Sequence, residues 1–193
     1  MMRVVAGAAR GRRLTAPAAG TRPTSDRVRE ALFSAIESRL GALGGLRVVD
    51  LYAGSGAVGL EALSRGAAHV LLVERDRKAL EVVRANVAAV GLPHVEVLAA
   101  DVGSVTSLTP PPAAVAPYDV AFLDPPYSEP DDVVERVLVG LAEHGWLEAG
   151  SLVLVERARR GSGFAWPAGY DALRDRDYGD TRVRTALWYG RDA

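Results

Sequence analysis

The chain has 193 residues, which is ample for one well-buried domain and short for two. Hydrophobic residues make up 49% of it and charged residues 24%, as in an ordinary soluble globular protein. There is no cysteine, which excludes disulfides, a thiolate nucleophile and a thiolate metal site. Residues 1–7 lack the apolar stretch of a signal peptide and no run approaches the length of a membrane span, so we expect a cytoplasmic protein.

The net charge of −1 hides an asymmetry between two parts of the chain. Residues 1–40 contain eight arginines and three acidic residues, a balance of +5, whereas residues 41–193 contain 15 basic and 21 acidic residues, a balance of −6. A basic segment on an acidic body indicates a polyanionic partner, although a merely solvated basic terminus would have the same composition.

Within the basic segment, residues 3–14 predict a small hairpin that turns near Gly11, because two apolar stretches flank an arginine-rich turn. Apolar residues then recur at helical spacing as far as Leu40, after an N-cap at Thr24-Ser25. Residues 41–45 are glycine-rich and would separate this arm from the body. Four arginines at the hairpin tip and near the helix start are candidates for binding phosphates: Arg10, Arg12, Arg22 and Arg27.

From residue 46 onward the pattern alternates between strand and helix, which predicts a mainly parallel sheet covered by helices on both faces. Residues 109–117 contain four prolines and are predicted to form a surface loop. The predicted strands are 47–52, 69–74, 95–99, 118–123, 151–156 and 183–189, and the predicted helices are 57–65, 76–90 and 130–143.

A glycine-rich turn follows the first of these strands. Gly54-x-Gly56-x-x-Gly59 fits the spacing of a dinucleotide-binding loop, in which glycine lets a ligand approach the backbone and the next helix aims N–H groups at it. Glu74 lies about 20 residues further on, where such proteins hold a pair of ribose hydroxyls. This pattern indicates a nucleotide-like ligand without saying which one.

Acidic residues stand at the ends of four successive predicted strands: Asp50, Glu74, Asp101 and Asp124. Open α/β sheets bind ligands at the carboxyl ends of their strands, so we expect these acids to share one site. A helix N-cap would explain Asp101 taken alone, but four such positions together favour a functional site.

The tetrapeptide Asp124-Pro125-Pro126-Tyr127 indicates the chemistry of the site. Its prolines fix φ and donate no hydrogen bond, so they hold a rigid, extended shape. Asp124 and the Pro125 carbonyl would offer two acceptors to the two N–H donors of an exocyclic base amine, and Tyr127 would stack on the base. The alternative is a plain turn with Tyr127 packed in the core.

Taken together, Asp50-Leu51-Tyr52-Ala53-Gly54-Ser55-Gly56 and Asp124-Pro125-Pro126-Tyr127 resemble the S-adenosylmethionine-dependent amino-methyltransferases. Further segments extend the resemblance to the bacterial RsmD-type 16S rRNA guanine-N2 methyltransferases: Arg10-Gly11-Arg12, Arg22-Pro23-Thr24, the segment 26–33 and Tyr178-Gly179-Asp180-Thr181. The resemblance implies a Rossmann-like seven-stranded mixed sheet whose last strand is antiparallel. It also implies a guanine of small-subunit rRNA as substrate, within a ribosomal assembly particle.

By the same resemblance, Asp124, Pro125, Pro126 and Tyr127 form the catalytic motif, Glu74 holds the ribose hydroxyls and Asp101 holds the adenine amine of S-adenosylmethionine. The loop binds the methionine part, and no metal or membrane is involved. Residues 1–40 would form a basic RNA-binding extension and residues 41–193 the methyltransferase domain. The full set expected to bind the cofactor is Asp50, Ala53, Gly54, Ser55, Gly56, Glu74, Arg75 and Asp101.

Three alternatives stay open from the sequence. A DNA adenine or protein glutamine N-methyltransferase uses the same chemistry, but those families more often carry Asn at the position of Asp124. A nicotinamide-dependent oxidoreductase would suit the glycine spacing and leave the Asp-Pro-Pro-Tyr motif without a purpose. A non-enzymatic RNA-binding assembly factor would need the arm and not the acids.

Overall fold

A computed structural model describes residues 2–16, 26–110, 115–160 and 163–190. In chain order the elements are β1 Met2–Arg3, β2 Arg13–Leu14, α1 Asp26–Leu40, β3 Arg47–Leu51, α2 Ala57–Ser64, β4 His69–Glu74, α3 Arg77–Val90, β5 Val95–Ala99, α4 Val102–Thr106, β6 Tyr118–Leu123, α5 Asp131–Glu143, β7 Leu147–Ala158, β8 Tyr170–Ala172, β9 Arg176–Tyr178 and β10 Thr181–Trp188.

The described residues form a main sheet of eight strands in the order β5-β4-β3-β6-β7-β10-β8, with β9 paired to β10. Strands β5, β4, β3, β6 and β7 are parallel, and β10 runs antiparallel to β7. The chain first moves outward from β3 to β5 and then returns to place β6 on the other side of β3. This change of direction puts the ligand-binding crevice of such a sheet at the carboxyl ends of β3 and β6.

Side chains alternate between the two faces of the sheet, as the pleat requires. On β3, Val48 belongs to a hydrophobic cluster with α1, α2 and α3, whereas Val49 and Leu51 belong to a second cluster with α4 and α5. Burial on both faces explains why the central strands read as continuous apolar runs.

Helix α3 shows how local sequence sets the boundaries of an element. It begins after Asp76, whose carboxylate accepts the Ala79 N–H at 2.9 Å, and ends at Gly91, which has φ of 63°. Val83 and Val90 lie on its buried face. Gly91 ends the helix because glycine adopts a left-handed backbone at low steric cost.

The prediction of a mixed sheet with an antiparallel last strand is confirmed, but eight strands replace the seven expected. Strand β7 spans Leu147–Ala158 instead of 151–156. Its register with β6 shifts between two pairs, Tyr118 with Leu147 and Val120 with Leu152. Strands β8 and β9 have three residues each and α4 has five, and none of these three elements was predicted.

The predicted hairpin and the predicted helix after it are both present, as β1–β2 and α1. They pack into the same hydrophobic cluster as the sheet: Val4, Leu14 and Phe33 lie in it together with Val48, and Leu43 of the glycine-rich connection is buried there too. The predicted N-cap at Thr24-Ser25 lies outside the described residues. The arm therefore shares the core of the body.

Candidate active site

A sharp turn connects β3 to α2 at the crevice. Tyr52, Gly54 and Gly56 all have left-handed backbones, with φ of 65°, 57° and 75°. A tyrosine in this conformation is uncommon, and such residues concentrate at functional sites. A Cβ on Gly56 would lie 3.0 Å from Val83 Cγ2, whereas one on Gly54 would meet only the Tyr52 carbonyl oxygen, at 3.9 Å. Gly56 is therefore fitted against α3, and Gly54 leaves open space beside the loop.

The rest of the loop leads into the start of α2. Ala53 and Ser55 are buried, and the Ser55 carbonyl accepts a hydrogen bond from Asn86 Nδ2 at 2.8 Å. No side chain caps α2, and the N–H groups of Ala57 and Val58 meet no acceptor among the described residues. Unpaired N–H groups at a helix start attract an anionic group.

Asp50 lies beneath this turn and is almost fully buried, at 2% exposure. Its Oδ2 accepts the Gly59 N–H at 2.9 Å. Burial raises the pKa of Asp50 to about 7, although the hydrogen bond from Gly59 opposes the shift. A Cβ on Gly59 would come within 2.3 Å of Leu72 Cδ2, so this glycine allows α2 to approach the sheet. The contact that the structure shows for Asp50 is therefore with α2.

Glu74, the last residue of β4, ties the glycine loop to the next strand end. Its Oε2 accepts the Gly54 N–H at 2.9 Å, and its Oε1 accepts the N–H groups of Arg75 at 2.7 Å and Asp76 at 2.8 Å. A carboxylate has about four lone-pair positions, and three are occupied here. The remaining position, on Oε2, suits one further hydroxyl donor.

Arg75 and Asp101 form an ion pair at the ends of β4 and β5, with 2.8 Å between Arg75 Nη1 and Asp101 Oδ2. Asp101 also caps α4, where its Oδ1 accepts the Ser104 N–H at 3.0 Å. Partial burial opposes ionisation, but the hydrogen bonds from Ser104 and Arg75 lower the pKa of Asp101.

Burial raises the pKa of Tyr52 to about 12, and Glu129 and Asp101 raise it further through their charges. Tyr52 is thus a neutral hydroxyl directly after β3.

The Asp-Pro-Pro-Tyr motif follows β6 directly and lies beside the glycine loop. Leu123 pairs with Leu51 of β3, and the Asp124 N–H donates to the Leu51 carbonyl at 3.4 Å. Asp124 is half-buried, Pro125 is buried and Pro126 is exposed. Tyr127 is 49% exposed, so the alternative in which its ring packs in the core is wrong.

Tyr127 is held at its hydroxyl rather than by its ring. The hydroxyl lies 3.2 Å from Thr181 Oγ1, and Thr181 is buried at the start of β10. Thr181 belongs to the segment Tyr178-Gly179-Asp180-Thr181 that carried part of the family resemblance. A tether at one end leaves the ring face available, because a single hydroxyl contact does not cover the π surface.

Arg157 is a site residue that the sequence reasoning missed. It follows the buried part of β7, and its side chain is only 12% exposed. Its Nη2 donates to the Glu129 carbonyl at 2.8 Å and to Asp131 Oδ1 at 2.9 Å, and its Nη1 donates to the Pro126 carbonyl at 3.3 Å. One guanidinium thus braces the loop after the motif. A charged residue directly after a buried strand run was the available signal.

The four arginines predicted to bind phosphate differ in what the structure shows of them. Arg10 is exposed and makes no ion pair or side-chain hydrogen bond among the described residues. Arg12 is also exposed, and its Nη1 donates to the Ala89 carbonyl at 2.8 Å, near the end of α3. Arg22 lies outside the described residues, and so does the side chain of Arg27.

The hairpin is fixed directly to α2, the helix that follows the glycine loop. Glu61 is fully buried and accepts the N–H groups of Val5 at 2.7 Å and Ala6 at 2.9 Å. A Cβ on Gly7 would lie 1.8 Å from the Ser64 carbonyl oxygen, so only glycine fits there. These contacts set the arm in a defined position relative to the crevice.

Asn86 makes a second link between arm and loop. It is 1% exposed, and besides the Ser55 carbonyl it binds Thr15, accepting the Thr15 N–H at 2.8 Å and donating to its carbonyl at 2.9 Å. The sequence carried a weak signal, an asparagine on the apolar face of α3.

Two negative observations apply to the parts of the chain that the structure describes. No group of three or more His, Asp or Glu side chains there is arranged to hold a metal ion. No helix there is long and apolar enough to cross a membrane.

A doubly wound sheet with a glycine loop at its switch point and Asp-Pro-Pro-Tyr at the adjoining strand end defines the class of Rossmann-like methyltransferases. The family described as "Conserved hypothetical protein 95" matches residues 2–187, and the chain belongs to this family, the RsmD type.

Two relatives named "Ribosomal RNA small subunit methyltransferase D" match nearly the whole chain. The protein of Escherichia coli K12 is 32% identical over 193 residues, covering 100% of this chain and 91% of the relative. That of Haemophilus influenzae is 30% identical over 184 residues, covering 95% and 92%. The solved structure of the Escherichia coli protein yhhF superposes with a TM-score of 0.82 at 31% identity and covers 98% of each chain.

Proposed function

We propose that this chain transfers a methyl group from S-adenosylmethionine to the exocyclic N2 amine of a guanine in small-subunit rRNA, within a ribosomal assembly particle. One observation carries the proposal: Asp124-Pro125-Pro126-Tyr127 follows β6 directly beside the glycine loop of β3, in a chain of the RsmD family. The names of the full-length relatives supply the substrate class.

The residues of the crevice suit the cofactor. The open space beside Gly54 and the unpaired N–H groups of Ala57 and Val58 suit the carboxylate of its methionine part. The remaining lone pair on Glu74 Oε2 suits one ribose hydroxyl. Arg75 and Asp101 lie at the next strand ends, where the adenine would bind. When bound, S-adenosylmethionine supplies a methyl group that its sulfonium already activates.

Because the methyl group is already activated, the chain mainly has to place and polarise the amine. Guanine N2 is a poor nucleophile, since its lone pair is delocalised into the ring. Asp124 and the Pro125 carbonyl would each accept a hydrogen bond from one of its two N–H groups, which localises the lone pair as the transition state forms. The bond from N2 to the methyl group forms as the bond from that methyl group to sulfur breaks, which leaves S-adenosylhomocysteine, and N2 then releases one proton to solvent. Pro125 and Pro126 keep these acceptors in place, and Tyr127 stacks on the extruded base.

Specific residues would position this motif. Thr181 contacts the Tyr127 hydroxyl, and Arg157 braces the Pro126 carbonyl and the turn behind it. The arginines of residues 1–40 would bind phosphates of the RNA, and the links of the hairpin to α2 would hold them in register with the crevice. In this proposal, residues 41–193 carry the chemistry and the basic arm carries the RNA.

The proposal is tested with labelled S-adenosylmethionine and three acceptors: small-subunit particles, free small-subunit rRNA, and duplex DNA. We expect label in rRNA only, recovered as N2-methylguanosine after digestion, with more label in the particles than in free rRNA; equal label in both would contradict the particle as the preferred substrate. Label in DNA adenine would favour the alternative within the same chemistry. Calorimetric titration with S-adenosylhomocysteine and with NAD separates a methyltransferase from an oxidoreductase, and binding of neither would favour a non-enzymatic assembly factor.

A further inference from the structure

A shallow groove with a volume of about 650 Å³ lies at the far edge of the sheet, along β9 and the start of β10. None of its lining residues belongs to the sites assigned above. They are three arginines, two aspartates and one tyrosine: Arg174, Asp175, Arg176, Asp177, Tyr178 and Arg182.

Strand pairing also places this groove near the carboxyl ends of the parallel strands, where Asp124 lies. Strand β7 is parallel to β6, so both strands end at the edge that carries the Asp-Pro-Pro-Tyr motif. Strand β10 is antiparallel to β7 and begins there, with Thr181 opposite Ala158. Thr181 also pairs with Tyr178, which lines the groove, and contacts the Tyr127 hydroxyl. The groove therefore adjoins the residue proposed to hold the target base.

The carboxylates of the groove are already engaged by arginines. Asp177 binds Arg182 through two hydrogen bonds, of 2.7 and 3.1 Å, and Asp175 pairs with Arg184 at 3.3 Å. The hydrogen bond and charge of Arg182 lower the pKa of Asp177, and the charge of Arg159, the residue after β7, lowers it further.

Two cations are left over. Arg174 and Arg176 are exposed and make no ion pair or side-chain hydrogen bond among the described residues. Arginine binds phosphate through a planar fork of donors. Tyr178 is half-buried beside them and offers an aromatic surface. Cations with an aromatic neighbour along a groove are typical of surfaces that follow a single nucleic acid strand.

We propose that this groove is a second RNA-binding surface, in which Arg174 and Arg176 bind phosphates of nucleotides adjacent to the methylated base. The inference rests on the proposed function. The hairpin is hydrogen-bonded to α2 and α3, the helices that follow β3 and β4, whereas the groove lies beyond β10, on the other side of β6 in the strand order. The RNA would then be held on both sides of Asp124.

The test uses the full chain, with free small-subunit rRNA as the probe in filter binding at several salt concentrations. The variants Arg174→Gln and Arg176→Gln are compared with Arg136→Gln, an exposed arginine on α5 whose loss changes the net charge equally. We expect each groove variant to lower affinity about 3- to 10-fold and to reduce the salt slope by about 0.7, the value for one phosphate contact on a single strand. The control should change neither.

A variant in the opposite direction strengthens the test. Asp177→Asn removes the carboxylate that engages Arg182, so rRNA affinity should rise about 2- to 5-fold. Polyglutamate is measured as a second polyanion. The inference is overturned if the Arg174 and Arg176 variants bind rRNA as tightly as the control does, or if these variants lose affinity for polyglutamate but not for rRNA. Methyl transfer by the wild type separates the two proposals. If it methylates rRNA while the groove variants match the control, only the groove fails; if it methylates no RNA, the proposed function fails and the groove inference falls with it.

Discussion

The buried carboxyl group of Asp50 should make folding stability depend on pH in a way that one substitution removes. Burial raises its pKa from 3.8 to about 7 in the folded chain. Between these values the folded state keeps a proton that the unfolded chain has released, so stability falls as pH rises. The slope is about 1.4 kcal/mol per pH unit, and between about pH 5 and pH 8 the loss is about 2 to 3 kcal/mol.

Asp50→Asn keeps an oxygen for the Gly59 N–H and removes the charge. The difference in the free energy of unfolding between this variant and the wild type should therefore shift by about 2 to 3 kcal/mol in favour of the variant as the pH rises between the same two values. The assay is urea unfolding of both proteins at each pH. Other titrating groups contribute equally to both, so the difference isolates Asp50. Parallel pH dependences in the two proteins would refute the assignment of a buried, protonated carboxyl group.

Three further predictions concern binding and positioning. Glu74→Gln places an amide among backbone N–H donors, so S-adenosylhomocysteine should bind about 1.5 to 3 kcal/mol more weakly, as measured by calorimetry. Glu81→Gln, at an exposed position, is the control. Equal affinity in the folded Glu74 variant would remove Glu74 from the site. In Arg157→Lys a single ammonium replaces the guanidinium, which contacts the Pro126 and Glu129 carbonyls through two different nitrogens. Single-turnover methyl transfer should therefore slow about 10-fold while S-adenosylhomocysteine affinity stays unchanged. A normal rate would contradict the positioning role. Arg10→Gln should weaken rRNA binding and reduce the slope of its salt dependence by about 0.7, without changing cofactor affinity. Normal RNA binding would mean that the arm has only a structural role.

The central strands and the site edge were predictable because their signals are local. Strands 69–74, 95–99 and 118–123 agree with the structure residue for residue. Strands 69–74 and 118–123 are buried apolar runs bounded by turns, whereas the edge strand 95–99 alternates half-buried Val95 and Val97 with exposed Glu96. The carboxyl ends of parallel strands share one edge of the sheet, so the neighbourhood of Asp50 and Asp124 also followed from the pattern.

Elements without a local signal were missed. Strands β8 and β9 have three residues each, and their pairing with β10 stabilises them rather than any alternation of their own. The start of β7 comes after Trp146, in a stretch that contains Gly150 and reads as a turn. Helix α4 has only five residues and depends on the Asp101 cap.

The direction of a side chain was also beyond the sequence. Asp50 lies opposite Leu72 of β4, two residues before Glu74 in the register of the sheet, so Asp50 is buried against α2 while Glu74 is half-buried beneath the loop. Arg157 binds backbone carbonyls whose positions are set by the packing of β6 beside β7, and no residue type announces a carbonyl partner.

The most direct test of the central claim is single-turnover transfer of labelled methyl to small-subunit rRNA by Asp124→Ala, with rRNA and S-adenosylhomocysteine binding measured in parallel. The account predicts that both ligands still bind and that transfer slows about 100-fold or more, the scale for losing a positioned electrostatic group. Asp124→Asn, which keeps an accepting oxygen without the charge, should have an intermediate rate. Transfer by Asp124→Ala at the wild-type rate would contradict the proposed role of the Asp-Pro-Pro-Tyr motif.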